Sequence, residues 1–404
     1  MARSERSRDG YLIAGDGLRA VAALAVLAFH AFIGVATRPA NRGVDWGPLG
    51  DLLFRLNVGV YVFFALSGYL VGGPWVRAWL AGGGYPRPLA YIGRRARRIV
   101  PAFWVITAGL LVWFGPKGAG AGDVLALLAF GQVFREGAIG FVLPQGWTLD
   151  VEVMFYLALP VLAWLVVRLG GALATPERRA QLLLGVLAAL FAATLVLRTG
   201  PAKGLEAAGS RNLVTFAWAF VPGLALAALE PVARARLQGR REGRALALGL
   251  GALGLASVAA LPAFGLFDGR LVTLLAYAGC GGGLVGGALA WQWATHAAPR
   301  GFDTRWAHAL GRWSYGIYLV HVGVAVEVLR HVPGSLGPAA SLAWVLAGTL
   351  VVSVALAALL WWLVEEPLLT GRRPRLPGSR NRATSIETPT GPPVAEALVA
   401  SRPE

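Results

Sequence analysis

The chain has 404 residues, 56% of them hydrophobic and only 14% charged, with a mean hydropathy of +0.60. That composition excludes a water-soluble globular protein, and apolar runs recurring along the whole length mark a polytopic helical membrane protein. The formal net charge of +16 does not indicate a nucleic-acid binder, because the basic residues fall in short clusters between apolar runs rather than on one sustained face.

Ten runs are long enough to cross a bilayer: 11–36, 56–73, 99–115, 146–169, 180–198, 212–229, 243–264, 270–292, 308–330 and 340–364. The opening "MARSERSRDG" has the basic character of a signal peptide, but the run after it is long and carries its own charges, so an uncleaved first span is expected. An eleventh apolar stretch, "DVLALLAFGQVF" (123–134), is short for a crossing and fits a re-entrant or interfacial segment. Charge supports this choice. With ten spans and a cytoplasmic N-terminus, 26 of the 37 Lys and Arg residues fall on the cytoplasmic side, whereas an eleventh span would place the five arginines of 234–244 outside. The expected fold is therefore all-α and integral to the cell membrane, with about ten transmembrane helices, one short re-entrant or interfacial segment and both termini cytoplasmic. The organisation expected is a cytoplasmic N-terminus (1–10), a membrane domain (11–370) and a disordered cytoplasmic tail (371–404) rich in Pro, Ser and Arg. No internal repeat of the kind common in transporters is evident.

The first span, "GDGLRAVAALAVLAFHAFIG", holds Asp16, Arg19 and His30 in an otherwise apolar run. Ionisable groups in hydrocarbon cost roughly 2.5–3.5 kcal/mol each on insertion scales, so they face inward and serve a purpose. Arg19 and His30 are eleven residues apart, which sets them on one helix face about 16 Å from each other, and Asp16 precedes Arg19 by the three residues that let them pair. In 91–101, "YIGRRARRIVP", four arginines crowd a cytoplasmic helix entry. They satisfy the positive-inside rule, and they are also the groups that bind phosphate oxygens bidentately. In the fourth span Thr148, Glu152 and Tyr156 recur at every fourth residue, a polar stripe that serves either a structural ion pair or a site. The ninth span repeats the pattern with Ser314, Tyr318 and His321 on one face. Cys280 lies in the small-residue run "AGCGGGLVGGALA" and is read as close helix packing. The five histidines are scattered and there is no cysteine pair, so neither a metal nor a permanently bound cofactor is expected.

Together these pieces resemble acyltransferase family 3, a family of membrane O-acyltransferases. "DGLRAVAALAVLAFHA" is similar to its first helix, in which a basic residue (Arg19) is followed after ten positions by His30. "VYVFFALSGYL" matches its Ser-Gly motif at Ser67 and Gly68, and "RRARRIVP" matches its Arg-x-x-Arg signature as Arg95 and Arg98. "GWTLDVEVMFYLALP" matches through Trp147, Leu149, Glu152, Phe155 and Tyr156, and "SYGIYLVH" and "VEEPLL" match late-helix motifs through Ser314, Tyr315, Tyr318, His321, Glu365 and Pro367. Asp150 departs from the pattern, since a small or apolar residue is expected there. Some members carry a fused extracytoplasmic hydrolase-like domain that is not evident in this sequence, which leaves acceptor choice to the membrane domain or to a partner protein.

The resemblance implies transfer of an acyl group, usually acetyl, from cytoplasmic acyl-CoA to a hydroxyl of a sugar, polysaccharide or glycosylated small molecule. It makes His30 the general base, with Asp16, Arg19 and Glu152 assisting catalysis and Arg95 and Arg98 holding the CoA phosphates. Trp147, Tyr156, Ser314, Tyr318 and His321 then contact substrate or support the site. Direct transfer and an acyl-histidine intermediate both remain open, as do the acyl chain length, the acceptor and the oligomeric state, a homo-oligomer included. The rival from another class is a proton-coupled transporter or lipid flippase using His30, Glu152 and His321 as a relay.

Overall fold

The computed structural model describes residues 11–116, 118–135, 142–170, 173, 175–200, 211–261 and 270–371. The expected cytoplasmic N-terminus and, beyond Gly371, the expected disordered tail lie outside the described residues. Among the described residues every regular element is helical. In chain order these are α1 (Gly15–Ala36), α2 (Gly47–Ala81), α3 (Pro88–Phe114), the short α4 (Ala121–Leu128), α5 (Trp147–Gly170), α6 (Pro176–Thr199), α7 (Leu213–Ala219 and Val221–Leu237, bent by 46°), α8 (Arg241–Ala259), α9 (Leu271–Thr295), α10 (Arg305–Arg330) and α11 (Pro338–Thr370).

Local chemistry sets several of these boundaries. Prolines at the first turns of α3, α6 and α11 supply a fixed φ where no backbone donor is needed. Thr304 caps α10, its hydroxyl oxygen accepting from the Ala307 N–H at 3.1 Å. Two helices contain π-turns, Gly68–Gly72 in α2 and Trp361–Glu365 in α11. Such turns widen a helix locally and are frequent at functional sites.

Eight helices are long and apolar enough to cross a membrane, and the bent α7 makes a ninth. The remaining expected run, 308–330, forms α10, whose 26 residues suffice in length but whose arginines and polar residues make it less apolar than the other nine. The reason lies in its inner face: Ser314 and His321 are 3% and 0% exposed, so the polarity is directed into the protein. The stretch 123–134 is not a crossing. Eight residues of α4 span about 12 Å, and a 3₁₀ turn at Gln132–Phe134 follows. The fully buried Asp150 explains its own departure from the family pattern. Its Oδ2 accepts the Val133 N–H at 3.1 Å, tying this short segment to α5.

Helix contacts in the core are made by missing side chains. An added Cβ at Gly311 of α10 would lie 2.3 Å from the Asp16 carbonyl oxygen of α1, and one at Gly223 of α7 would lie 1.9 Å from the Ala65 carbonyl oxygen of α2. Cys280 is fully buried in α9 beside Gly281, whose added Cβ would meet the Tyr61 carbonyl oxygen at 2.6 Å. The small-residue run is a packing surface, as expected.

This packing predicts a contrast between two glycine substitutions. Gly223→Ala drives a methyl group into the α2 backbone and should destabilise the protein by about 1–3 kcal/mol, seen as a lower midpoint of thermal unfolding in detergent. Gly249→Ala, on α8 with nothing within 4 Å of the new methyl, should leave the midpoint unchanged or raise it slightly.

Candidate active site

The polar residues of α1, α2, α3, α5 and α10 converge on two adjoining cavities. The first, of about 810 Å³ of open space, is lined by Arg19, Ser67, Arg95, Arg98, Glu152, Tyr156, Ser314 and Tyr315. On α3 the i, i+3 spacing turns Arg95 and Arg98 inward, where both are half-buried, while Arg94 and Arg97 are exposed. The Arg95 guanidinium lies over the Tyr156 ring at 5.8 Å, and its Nε is buried without a hydrogen-bond partner among the described residues. Glu152 is held by hydroxyls: Oε1 accepts from Ser67 Oγ and from Tyr156 Oη, each at 2.5 Å. Three guanidinium groups thus face one chamber with a single carboxylate on its wall, an excess of positive charge in a low-dielectric cleft. Glu365, 2% exposed in the α11 π-turn, makes no hydrogen bond among the described residues, and the charge of Arg98 acts on it.

The second chamber, of about 710 Å³ of open space, is lined by His30, Asn57, Gln145, Trp147, Arg211 and Tyr277 among others. Val60, Thr148 and Tyr318 line both chambers and form the partition between them. Its polar part is compact. Thr148 Oγ1 and Tyr318 Oη are 2.5 Å apart, and both reach the Gln145 carbonyl oxygen, at 3.1 and 3.0 Å.

The proton positions on the two histidines follow from their partners. His321 is fully buried, and its Nδ1 lies 3.1 Å from the Ile317 carbonyl oxygen and 2.8 Å from that of Tyr318. Carbonyl oxygens only accept, so Nδ1 carries the hydrogen and Nε2 of the neutral ring is an acceptor. That Nε2 lies 3.1 Å from His30 Nδ1, which also lies 3.0 Å from the Val26 carbonyl oxygen. Two acceptors around His30 Nδ1 require a hydrogen on it. The lone pair of His30 is therefore on Nε2, the nitrogen with no protein partner among the described residues.

The structure thus divides the residues singled out by the sequence. Arg19, Arg95, Arg98, Glu152, Tyr156 and Ser314 belong to the arginine chamber, and His30 and Trp147 to the histidine chamber. Tyr318 stands in the partition, and His321 lies behind His30. Asp16 lines neither chamber. It accepts from Arg19 Nη1 at 3.3 Å and lies 3.0 Å from His308 Nδ1, whose other nitrogen is 2.8 Å from Asp303. It therefore joins the arginine of α1 to the first turn of α10. Ser314 is occupied within its own helix, donating to the Gly311 carbonyl oxygen at 2.8 Å. The polar residues that helical periodicity does not reveal are Asn57, Gln145 and Arg211, each in a 3₁₀ turn or a loop rather than a regular helix. Tyr277, inside α9, stands outside every polar stripe. Ser67 is signalled only by its Ser-Gly motif.

Comparison with known proteins identifies the family. A family model described as an acyltransferase domain matches residues 13–362. The chain is 32% identical over 334 residues to the exopolysaccharide production protein ExoZ of Rhizobium meliloti, covering 78% of this chain and 90% of that protein. It is 29% identical over 175 residues to the peptidoglycan O-acetyltransferase OatA of Listeria monocytogenes, covering 40% of this chain and 25% of that protein. No solved structure matches the chain. A family match over nearly the whole helical region, on a multi-pass scaffold, makes this enzyme a member of acyltransferase family 3.

Proposed function

We propose that the enzyme moves an acyl group, acetyl in the first instance, from cytoplasmic acyl-CoA to a hydroxyl of a glycan on the other side of the membrane. The observation that carries this reading is the pair of chambers meeting at one hydroxyl-lined partition, with guanidinium groups on one side and an imidazole lone pair on the other. Arg19, Arg95 and Arg98 would bind the phosphates of CoA, since guanidinium pairs with phosphate oxygens through charge-assisted bonds. The thin pantetheine arm would then reach the partition from the arginine side. The acceptor hydroxyl would enter the histidine chamber, in keeping with the polysaccharide and peptidoglycan named for the relatives.

The chemistry follows from the tautomer. His30 Nε2 takes the proton of the acceptor hydroxyl as its oxygen attacks the thioester carbonyl. The hydroxyls of Thr148 and Tyr318 stand where the tetrahedral oxyanion forms and can donate to it. As the carbon–sulfur bond breaks, the proton on His30 passes to the departing sulfur, giving the ester and free CoA thiol. His321 accepts from His30 Nδ1 throughout and so keeps Nε2 as the base. Glu152 holds Ser67 and Tyr156 and balances the arginines, and Asp16 orients Arg19.

Thiol release from acetyl-CoA by inverted vesicles loaded with glycan tests this reading. His30→Ala should lower the rate by about 10²–10⁴-fold and leave acetyl-CoA binding intact. An acyl label retained on the wild-type protein and absent from His30→Ala would make Nε2 the nucleophile instead of the base. Loss of neither rate nor label in the variant would remove His30 from the chemistry. Arg98→Ala should raise KM for acetyl-CoA about 10-fold, the worth of one charge-assisted hydrogen bond, but leave KM for S-acetylpantetheine, which lacks the nucleotide phosphates, unchanged. An equal rise for both would place the arginine elsewhere in the reaction.

His321 is tested separately. His321→Leu removes the acceptor for His30 Nδ1 and should lower kcat about 10–100-fold, the usual loss when the partner orienting a functional histidine is removed. His321→Gln can turn its amide oxygen to His30 and should recover part of that loss. Nitrogen NMR of selectively labelled His30 should show the Nδ1–H tautomer in the wild type and a mixture in His321→Leu.

A further inference from the structure

Two residues that line the histidine chamber carry side-chain amide oxygens with no donor among the described residues. Gln145 is 2% exposed, and its Nε2 donates to the backbone carbonyl oxygens of Leu319 at 3.0 Å and Tyr318 at 3.3 Å. Both partners are pure acceptors, so the amide group admits only one orientation, which leaves Oε1 buried without a hydrogen-bond partner among the described residues. Asn57, 8% exposed, donates through Nδ2 to Tyr277 Oη at 2.9 Å, and its Oδ1 is likewise buried with no partner among the described residues. Both residues line the same chamber as His30. Buried polar atoms are almost always paired, and an exception marks a missing partner. With His30 Nε2, residues lining the chamber carry three acceptor atoms that the described residues do not satisfy.

A ligand that meets these three atoms must bring several O–H donors. It must also tolerate apolar walls, for the chamber is bounded by Trp147 and Phe29 and by Tyr61 stacked on Tyr277 at 3.9 Å. A sugar ring has both properties: neighbouring hydroxyls on its edge and C–H groups on its faces. A simple alcohol offers one donor and leaves two acceptors orphaned. Resting on the acyltransferase reading above, we propose that Gln145 and Asn57 form the acceptor-recognition subsite, accepting hydrogens from hydroxyls that neighbour the one His30 deprotonates. The acceptor is then a pyranose with free hydroxyls adjacent to the acylated position. Gln145 also joins recognition to the partition, because its backbone carbonyl accepts from Tyr318 and Thr148 while its side chain reads the sugar.

The test uses the full-length protein in nanodiscs, with acetyl-CoA and methyl β-D-glucopyranoside or methyl β-D-galactopyranoside, each compared with its monodeoxy derivatives. On the wild type, at least one derivative lacking a hydroxyl beside the acetylated position should lose about 10-fold or more in kcat/KM, as sites built to bind a hydroxyl reject analogues without it. Gln145→Met should lower kcat/KM for the parent sugar by a similar factor and leave that derivative unchanged, erasing the discrimination. Asn57→Ala should do the same for a second hydroxyl, and with the wild-type series it keeps the test decisive if Gln145→Met does not fold. Equal turnover of all deoxy derivatives by the wild type, or an equal loss on parent and derivatives in both variants, overturns the proposal. Transfer to 1-propanol but to neither pyranoside also overturns it, while leaving the acyltransferase reading standing. No thiol release with any of these acceptors, together with no acetyl-CoA binding, would instead bring down that underlying reading.

Discussion

Gly311 brings the backbone of α10 against that of α1 at Asp16, and both chambers depend on this close approach. At one end of the contact Asp16 lies between Arg19 and His308, so that the first turn of α10 and the arginine of α1 share one carboxylate. Nearly four turns further on, His321 of α10 meets His30 of α1 at 3.1 Å. Interhelical hydrogen bonds inside a membrane contribute only modestly to association, because helices separated in lipid also find partners. Here they serve mainly to fix register. A slip of α10 by one turn, about 5.4 Å, would break both the carboxylate link and the histidine pair. The small residue permits the approach, and the polar pairs define where along the helices it occurs.

The same economy explains why so many polar groups are tolerated in an apolar bundle. Each is held by a neighbour on another helix or in another turn: Ser67 on α2 by Glu152 on α5, Thr148 on α5 by Tyr318 on α10, Asn57 on α2 by Tyr277 on α9. These bonds satisfy buried groups and at the same time cross-link four of the helices that wall the two cavities. Where satisfaction stops, at the inward arginines and at the amide oxygens of Gln145 and Asn57, the unmet groups have opposite chemistry. Those in the first chamber attract anions, and those in the second ask for donors.

How much of this could be read from the sequence varies with the kind of signal. Ten apolar runs correspond one for one with α1–α3 and α5–α11, because hydrophobic length is a property of a single segment. The inward pair Arg95 and Arg98 was legible for the same reason, as a motif on one helix face. The division into chambers was not. Trp147 and Tyr156 belong to one motif on one helix, yet nine residues of rise, about 13.5 Å, carry them to opposite sides of the partition. Arg19 and His30, which share a face of α1, are separated likewise. Asp16 reads as part of the catalytic set by proximity to Arg19, and only the position of His308, 292 residues away, shows that it serves α10. Asn57, Gln145 and Arg211 sit in breaks between regular helices, where no periodicity marks them. Asp150 was visible as an anomaly but not as the anchor of the Gln132–Phe134 turn, since its partner is a backbone N–H.

Under the proposed function, the partition also reconciles two demands on acyl transfer from a thioester across a membrane. A continuous polar path would leak protons and ions, whereas an apolar plug would give a thioester no group to stabilise its tetrahedral intermediate. Thr148 and Tyr318 with the Gln145 carbonyl form a closed hydrogen-bonded unit, so the chambers abut without any orphaned polar group between these hydroxyls. Hydroxyls rotate about a single bond, and the same two groups can exchange that internal bond for one to an oxyanion without moving the helices that carry them. Gln145 supplies the third member from its backbone in a 3₁₀ turn, and its side chain is pinned by the Leu319 and Tyr318 carbonyl oxygens of α10. The barrier, the oxyanion donors and the proposed sugar contact are thus mechanically one unit, and a change in any of them acts on the other two.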